Sequence, residues 1–221
     1  MIKAVFFDFD ETLQDRTLAF EGYMDRFFAE FCPHLDPAEK EKRKGDMRVT
    51  GKGGYVNRVE WYRQLIELWD WQDAPSADEL AHHYDYTFGD CNVIFPNSKK
   101  LLIELKKRGY IVGVITNGPS YLQNHKMDTS GLRPYCDIVV VSGDVGVHKP
   151  DPRLFEIVAE KVGLTTEECV YVGDHPVNDI QGALASGMRA IRMNFGWFKD
   201  RDLRDDVPII HDIIQVLDYL N

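Results

Sequence analysis

The chain has 221 residues, of which 44% are hydrophobic and 28% are charged, a composition typical of a folded protein that is large enough to bury a substantial core. Its formal net charge of -10 argues against nucleic acid or an anionic membrane surface as the main partner. An acidic protein that handles anions therefore needs a local cation.

The first predicted element is a strand at residues 4–7. This run is too short for a helix and too apolar for a surface strand, so it is typical of a buried strand in a parallel sheet. Asp8 and Asp10 follow directly, and their spacing places both side chains on the same side of an extended segment. Ligands bind at the carboxyl edge of open α/β sheets, so these two charges indicate a functional site rather than packing.

A long helical segment follows the first strand. The next clear apolar run begins only at residue 110, and the intervening residues 17–92 show many aromatic side chains at helical spacing. We interpret residues 17–92 as an inserted helical domain with a small core of its own. Residues 1–16 and 93–221 are expected to form the other domain.

The chain beyond Pro96 alternates short apolar runs with amphipathic helices. This rhythm predicts four further strands, at residues 110–115, 137–141, 169–172 and 188–193. It also predicts helices near residues 98–107, 120–130, 152–162, 179–185 and 209–220. The sequence therefore predicts an α/β fold, with a Rossmann-like three-layer core, a five-stranded parallel sheet and an inserted α-helical domain.

Polar residues follow the next three predicted strands. The second strand ends in Thr116, Asn117 and a glycine that lets backbone N–H groups face an anion. Lys149 follows the third strand, and Asp174 and Asp179 follow the fourth. Because the carboxyl ends of parallel strands meet at one edge of a sheet, we expect these side chains to lie near the first pair of acids.

The four acids predicted at this edge need positive charge nearby. They would repel one another and raise one another's pKa unless cations lay between them. Lys149 supplies one charge, and a divalent ion would supply two. Carboxylate oxygens without histidine or cysteine partners favour a hard cation, and Mg²⁺ typically combines one or two carboxylates with substrate phosphate oxygens. Such a site suits phosphoryl transfer, in which one carboxylate attacks phosphorus and a second acid serves the leaving oxygen.

Taken together, the four groups of polar residues resemble motifs I to IV of the haloacid dehalogenase-like superfamily. The combination of Asp-x-Asp-x-Thr from Asp8, Thr-Asn from Thr116, Lys149, and Gly-Asp-x-x-x-x-Asp ending at Asp179 is specific as a set, although each part alone is common in loops. The resemblance covers residues 1–15 and about 95–193, and it is loose across the insert.

The resemblance implies a role for each matched residue. Asp8 is expected to be the nucleophile and a Mg²⁺ ligand, and Asp10 the general acid/base, whose backbone carbonyl also binds the metal. The other matched residues are expected to bind phosphate (Thr116, Lys149 and, through its backbone N–H, Asn117), to bind the metal (Asp174), or to support the metal waters or Lys149 (Asp179).

Two further expectations come from the resemblance. Glu11 stands where many relatives have glycine, and the run Asp-Glu-Thr that includes it resembles some small-metabolite phosphatase and nucleotidase branches. We expect the Glu11 side chain to face solvent. The insert resembles the helical cap of the phosphoglycolate-phosphatase-like branch. Within the basic stretch of that insert most charges are typical of a solvated helix face, and only Lys52 and Arg58 are predicted to contact substrate.

The resemblance implies a Mg²⁺-dependent phosphatase that hydrolyses a small phosphorylated metabolite through an aspartyl-phosphate intermediate. Sugar phosphates, nucleoside monophosphates and phosphoglycolate-like acids all remain open as substrates. Three different functions also remain open: a phosphomutase with the same core chemistry, a metal-independent 2-haloacid dehalogenase, and a non-catalytic module that binds a phospholigand. The acids Asp10 and Asp174 disfavour the dehalogenase.

Cysteine usage and the start of the chain bear on the compartment. Four widely spaced cysteines form no Cys-x-x-Cys pair, which suggests neither a zinc site nor a redox dithiol and fits a reducing cytosol. The first strand begins too early for a signal peptide, and no stretch approaches 18 apolar residues. We therefore expect a cytoplasmic protein with no membrane or nucleic-acid partner. The sequence does not indicate an oligomeric state.

Overall fold

The computed structural model describes residues 1–220 and divides them into two compact units. One unit combines Met1–Arg16 with the chain from Asn92 onward, and the other consists of Thr17–Cys91. We call them the sheet unit and the helical unit. Each has buried side chains of its own.

The helical unit contains four α-helices, of which the first begins at the last residue of the sheet unit. Polar side chains cap the following three, since the side chains of Asp36, Asn57 and Ser76 each accept a hydrogen bond from a backbone N–H of the first turn. The helices are α1 (Arg16–Phe31), α2 (Pro37–Gly51), α3 (Arg58–Leu68) and α4 (Ala77–Thr87), with 3₁₀ turns at Lys52–Gly54 and Phe88–Cys91.

Aromatic side chains form the core of the helical unit. Tyr23, Phe27 and Tyr62 are completely buried, and the hydroxyls of the two tyrosines are hydrogen-bonded at 2.6 Å. Trp61 is also buried, and its Nε1 donates to Thr50 Oγ1 at 2.8 Å. These contacts satisfy the polar atoms of the aromatic rings inside the unit, so the rings act as core residues.

The sheet unit is built on a parallel sheet, as predicted. Its strands lie in the order β3-β2-β1-β4-β5-β6, so the first strand of the chain is central. The strands are β1 (Ala4–Phe7), β2 (Ile111–Thr116), β3 (Ile138–Val141), β4 (Cys169–Gly173), β5 (Arg189–Met193) and β6 (Ile209–Ile210). Phe7 pairs with Val114 of β2 and with Val172 of β4, which aligns the ends of these three strands.

Helices cover both faces of this sheet and give the predicted three layers. Val5 and Phe7 belong to one hydrophobic cluster with leucines of the helix after the insert, whereas Ala4 and Phe6 belong to another. Successive residues of β1 therefore face opposite layers, which explains why this strand is apolar throughout. The α-helices of the sheet unit are α5 (Ser98–Lys107), α6 (Ser120–Thr129), α7 (Ser142–Val145), α8 (Pro152–Lys161) and α9 (Gly182–Ser186).

The end of the described chain differs from the prediction. The sequence pattern predicts a helix over residues 209–220, but Ile209–Ile210 form a sixth strand parallel to β5, and Ile213–Tyr219 form a 3₁₀ helix. Closely spaced isoleucines match a helical and a buried-strand pattern equally well, so periodicity alone does not separate them. The Asp212 side chain accepts the Ile214 N–H and begins the 3₁₀ helix after the strand.

Two segments that flank the helical unit pair with each other inside the sheet unit. Gln14 forms an antiparallel bridge with Ile94. The Asp15 N–H donates to the Val93 carbonyl at 2.8 Å, and the Phe95 N–H donates to the Leu13 carbonyl at 3.1 Å. The chain therefore leaves and re-enters the sheet unit along paired backbone. Among the described residues, no helix has the combined length and apolar character that crossing a membrane requires.

Candidate active site

The candidate site lies where β1, β2 and β4 end side by side. Asp8 follows β1, Thr116 closes β2, and Asp174 follows β4, and all three residues are buried. The Asp8 N–H donates to the Val172 carbonyl at 2.8 Å and extends the pairing of β1 with β4 by one step. The parallel register thus brings residues that are distant in sequence to one edge of the sheet.

Lys149 is the positive centre of this edge. Its ammonium nitrogen lies 2.9 Å from Asp8 Oδ1 and 2.7 Å from Asp179 Oδ1, and it donates to the Tyr171 hydroxyl at 2.7 Å. The Lys149 side chain is only 2% exposed. Burial alone would favour the neutral amine, but the charges of Asp179 and Asp8 outweigh it and raise the pKa of Lys149. The lysine is therefore a fixed cation between two carboxylates.

Asp179 lies in the helical turn Pro176–Gln181, and a backbone N–H just before this turn holds its carboxylate in place. Its Oδ2 accepts the His175 N–H at 2.9 Å. A Cβ atom on Gly173 would lie only 2.4 Å from Asp179 Cγ, so a glycine is needed where β4 ends. The glycine of the fourth motif therefore makes room for the carboxylate that supports Lys149.

We expect Gly173→Ala to destabilise the sheet unit. The added methyl group must displace the Asp179 carboxylate, and overpacking of this kind costs about 1–3 kcal/mol. Urea unfolding of both proteins would measure the loss. Gly45→Ala is the matched control, because a Cβ at this position inside α2 meets no atom within 4 Å, and the change should stabilise by about 0.5–1 kcal/mol. Equal stability of Gly173→Ala and the unmodified protein would disprove the tight contact.

Three carboxylates at this edge are close enough to share a cation. Asp8, Asp174 and Asp179 each offer one oxygen, and these oxygens lie within 4.8 Å of one another. Both oxygens of Asp179 already accept hydrogen bonds, from Lys149 and from the His175 N–H. Asp174 Oδ2, in contrast, is buried without a hydrogen-bond partner among the described residues. Asp8 and Asp174 are therefore the acids best suited to hold a metal ion.

Electrostatics support the same assignment. Burial, opposed by Lys149 and reinforced by Asp179, raises the pKa of Asp8 to about 7. Burial, together with the charges of Asp179 and Asp8, raises the pKa of Asp174 well above its usual value. One lysine therefore does not balance the negative charge of these acids. A divalent cation with oxygen ligands would supply the missing positive charge.

Asp10 has a separate partner, Lys126 on α6. The Lys126 ammonium contacts both carboxylate oxygens of Asp10, at 2.5 and 2.6 Å, and the lysine side chain is 2% exposed. Burial of Asp10 acts against ionisation, but Lys126 and Arg16 outweigh it and lower the pKa of the Asp10 carboxyl. The two acids of the first motif therefore lie in different environments, one with a raised and one with a lowered pKa.

Thr116 and Asn117 are tied to their surroundings by side-chain hydrogen bonds. Thr116 Oγ1 accepts from Gln123 Nε2 at 2.5 Å. Asn117 Nδ2 donates to the Lys149 carbonyl, and Asn117 Oδ1 accepts the Lys149 N–H, both at 2.9 Å. The resemblance predicts a role only for the Asn117 backbone. Its side chain fixes the backbone of the residue that carries the central cation.

Three residues of this edge were not predicted from the sequence: Gln123, Lys126 and Tyr171. Tyr171 lies within β4 and donates from its hydroxyl to the Ile115 carbonyl at 2.8 Å. Gln123 and Lys126 lie one turn apart on α6, both buried. The only signal for the lysine is a charged residue next to the buried Met127 on a short helix, a pattern that is also common on solvated faces.

Glu11 does not face solvent, and the prediction for its side chain was wrong. The residue is 7% exposed and has a φ of 56° in the turn after Asp10. A Cβ on Gly196 would lie 2.6 Å from Glu11 Cγ, so the glutamate side chain packs closely against that glycine. The left-handed backbone at Glu11 directs the side chain inward, where its charge contributes to the raised pKa of Asp174.

The two predicted substrate contacts of the insert lie in the helical unit. Arg58 begins α3, and its guanidinium contacts Asp85 Oδ1 at 3.0 Å and lies 4.9 Å from the centre of the Tyr84 ring. Lys52 is exposed and has a φ of 45°. Arg58 thus has a structural partner, and a substrate role for either residue stays a prediction.

Known proteins match this chain over most of its length. A family model described as haloacid dehalogenase-like hydrolase matches residues 2–187. The chain is 32% identical over 215 residues to the glyceraldehyde 3-phosphate phosphatase of Methanopyrus kandleri, covering 94% of this chain and 91% of that protein. It is 32% identical over 203 residues to the phosphoglycolate phosphatase of Yersinia pseudotuberculosis, covering 89% and 82% respectively.

Solved structures include similar folds. A 2-haloacid dehalogenase from Pseudomonas syringae has a TM-score of 0.65 and 29% sequence identity, and the match covers 100% of this chain and 98% of that one. The family match spans Asp8, Thr116, Lys149 and Asp174. The chain therefore belongs to the haloacid dehalogenase-like hydrolases.

Proposed function

We propose that the protein is a Mg²⁺-dependent phosphatase that hydrolyses a small phosphorylated metabolite through a phosphate ester of Asp8. The observation that carries the proposal is the edge at which Asp8 lies 2.9 Å from the buried Lys149 and beside Asp174. Relatives named as phosphatases of small metabolites, at 32% identity, support the substrate class.

The proposed reaction has two halves. A carboxylate oxygen of Asp8 attacks phosphorus, the bond from phosphorus to the leaving oxygen breaks, and Asp10, once protonated, gives its proton to that oxygen. Asp10 then takes a proton from a water molecule, whose oxygen attacks phosphorus and releases inorganic phosphate and free Asp8. Thr116 and Lys149 would bind the oxygens of the transferring group in both halves.

The donor set fits Mg²⁺. Asp8 and Asp174 would hold the ion, together with the backbone carbonyl of Asp10, because Asp174 Oδ2 is buried without a hydrogen-bond partner in residues 1–220 and the ligands are all oxygens. When bound, the ion supplies positive charge that offsets the charge on the phosphoryl oxygens. Asp179 would support the site through Lys149, to which it is bound.

Removal of the metal tests this assignment. With Mg²⁺ present we expect release of inorganic phosphate from at least one member of a panel of phosphorylated metabolites. EDTA should abolish the release, and added Mg²⁺ should restore it. Calorimetric titration with Mg²⁺ should show binding that Asp174→Asn weakens about 10-fold or more. Even the loss of a group that only orients a metal ligand typically lowers metal affinity by about 10-fold or more.

The matched control is Asp73→Asn, which changes an exposed acid of the helical unit and should bind Mg²⁺ as the unmodified protein does. Full activity in EDTA would contradict the proposal. It would favour a metal-independent dehalogenase, which can be checked by halide release from a 2-haloacid. A dehalogenase is found among the structural relatives, at 29% identity. A halide ion leaves without taking up a proton, however, so a dehalogenase would not need Asp10 as a general acid.

A phosphomutase and a non-catalytic module would each differ from a phosphatase in what becomes of the substrate. A phosphomutase would return the phosphoryl group to a substrate hydroxyl and release little inorganic phosphate, and a non-catalytic module would bind a phospholigand unchanged. Analysis of the products from the same panel separates both from a phosphatase. The buried pair of Asp8 and Lys149 favours a catalytic site, since apolar residues of similar volume would often stabilise the fold as well or better.

The helical unit is proposed to act as the cap that selects the metabolite. Lys52 and Arg58 are the proposed contacts with its anionic groups, and sugar phosphates, nucleoside monophosphates and phosphoglycolate-like acids are the candidate substrates. All four cysteines are free thiols, which fits the proposed location in the reducing cytoplasm.

A further inference from the structure

Lys126 holds the carboxylate of Asp10 in one orientation. Its ammonium nitrogen contacts Oδ1 at 2.5 Å and Oδ2 at 2.6 Å, so rotation of the carboxylate would lose one of the two contacts. The lysine side chain is 2% exposed, whereas the Asp10 side chain is 22% exposed. The anchor is therefore buried, and part of the carboxylate remains accessible.

Gln123 connects this ion pair to the predicted phosphate-binding residues. Its Oε1 accepts from the Lys126 ammonium at 2.7 Å, and its Nε2 lies within hydrogen-bond distance of Asp10 Oδ2 at 3.2 Å and Thr116 Oγ1 at 2.5 Å. A Cβ on Gly118 would lie 2.7 Å from Gln123 Cγ, so the glutamine packs tightly against the loop after β2. One amide group thus fixes the positions of Lys126, Asp10 and Thr116 relative to one another.

Packing alone does not require an ammonium group at this position. A methionine has nearly the same length and would fill the space without a buried charge, which is costly unless it is paired. The specific contribution of the lysine is therefore its charge and the hydrogen bonds that it donates to Asp10 and Gln123. These bonds come from α6, a helix that carries none of the matched family residues.

We infer that Lys126 is a positioning residue, which acts with Gln123 to hold the Asp10 carboxylate in the orientation for proton transfer to the leaving oxygen. The inference rests on the proposed function, in which Asp10 is the general acid/base. Proton transfer depends strongly on geometry, and a displacement of about 1 Å can lower a rate by about 10²-fold.

The test uses two substrates that differ in their need for a proton. An alkyl phosphate releases a strongly basic alkoxide, which must be protonated, whereas 4-nitrophenyl phosphate releases a stable phenolate, which needs none. The value of kcat/KM reports the first half-reaction for both substrates. We expect Lys126→Met to lower kcat/KM about 10²-fold for the alkyl phosphate and far less for 4-nitrophenyl phosphate.

A second variant and a double mutant guard against a general loss of structure. Gln123→Met leaves the Lys126 ammonium group in place but removes the hydrogen bond between this group and Gln123 Oε1. It should also lower kcat/KM more for the alkyl phosphate than for 4-nitrophenyl phosphate, but by a smaller factor than Lys126→Met. In an Asp10→Asn background, Lys126→Met should cause no further fall in kcat/KM for the alkyl phosphate, because its effect passes through Asp10. Lys107→Met, at an exposed position of α5, should match the unmodified protein on both substrates.

The outcomes separate this inference from the proposed function. The positioning role is overturned if each of the variants Lys126→Met and Gln123→Met lowers kcat/KM for the alkyl phosphate by the same factor as for 4-nitrophenyl phosphate. It is also overturned if the losses caused by Lys126→Met and Asp10→Asn multiply in the double mutant. In both cases the proposed phosphatase activity stands. If Asp8→Asn retains the activity of the unmodified protein, the proposed function itself fails, whatever the Lys126 variants do.

Discussion

Asp8→Asn is expected to reduce phosphate release by about 10⁴-fold or more in the presence of Mg²⁺. An amide has nearly the same shape as a carboxylate but is a very poor nucleophile, so the phosphate ester of residue 8 cannot form. Losses of this size are typical when the nucleophile of a covalent mechanism is removed. Release of inorganic phosphate under saturating substrate measures the effect.

The result needs a control for folding and one for chemistry. Asp73→Asn makes the same chemical change at an exposed position and should keep full activity. Rapid acid quenching followed by intact-protein mass spectrometry should show a phosphorylated species for the unmodified protein and none for Asp8→Asn. Undiminished turnover by Asp8→Asn would show that another group attacks phosphorus.

Lys149→Met should be damaging to both stability and activity. The ammonium lies between Asp8 and Asp179, and its removal leaves two buried carboxylates without their shared cation. Breaking a buried ion pair by removing one partner typically costs about 3–5 kcal/mol. The raised pKa of Lys149 leads to the same expectation. It shows that the folded state favours the charged lysine, so the fold loses stability when that charge is absent.

Urea unfolding without metal and phosphate release with Mg²⁺ measure the two effects of Lys149→Met. Lys107→Met is the control for the loss of an exposed lysine and should change the free energy of unfolding by less than about 0.5 kcal/mol. If Lys149→Met were as stable as this control, the ion pairs with Asp8 and Asp179 would contribute nothing to folding, and the electrostatic account of the site would be wrong.

Much of the sheet unit could be predicted because its signals are local. Short apolar runs that end in polar residues mark β1, β2 and β4, and parallel strands place such ends at one edge. The residues after these strands, Asp8 and Asp174 among them, lie together for that reason. The sixth strand was missed because Ile209–Ile210 is only two residues long and carries no pattern of its own.

The contacts that organise the site are long-range, and the sequence gives little sign of them. Lys126 and Asp10 are 116 positions apart, and their meeting depends on how α6 packs onto the sheet. Tyr171 is one of several large residues in an apolar strand, and its hydroxyl finds partners only once β2 and Lys149 are in place. Residue type and spacing predict which groups react, whereas tertiary packing determines what orients them.

The paired backbone beside the first motif joins the two ends of the insert inside the sheet unit. Gln14 and Ile94 are bridged within the sheet unit, so the fold itself clamps the two ends of the intervening chain together. Lengthening a loop whose ends are already fixed costs little additional entropy. We therefore expect that a segment of different length or composition can replace the one between Asp15 and Val93 while the backbone pairing inside the sheet unit is kept.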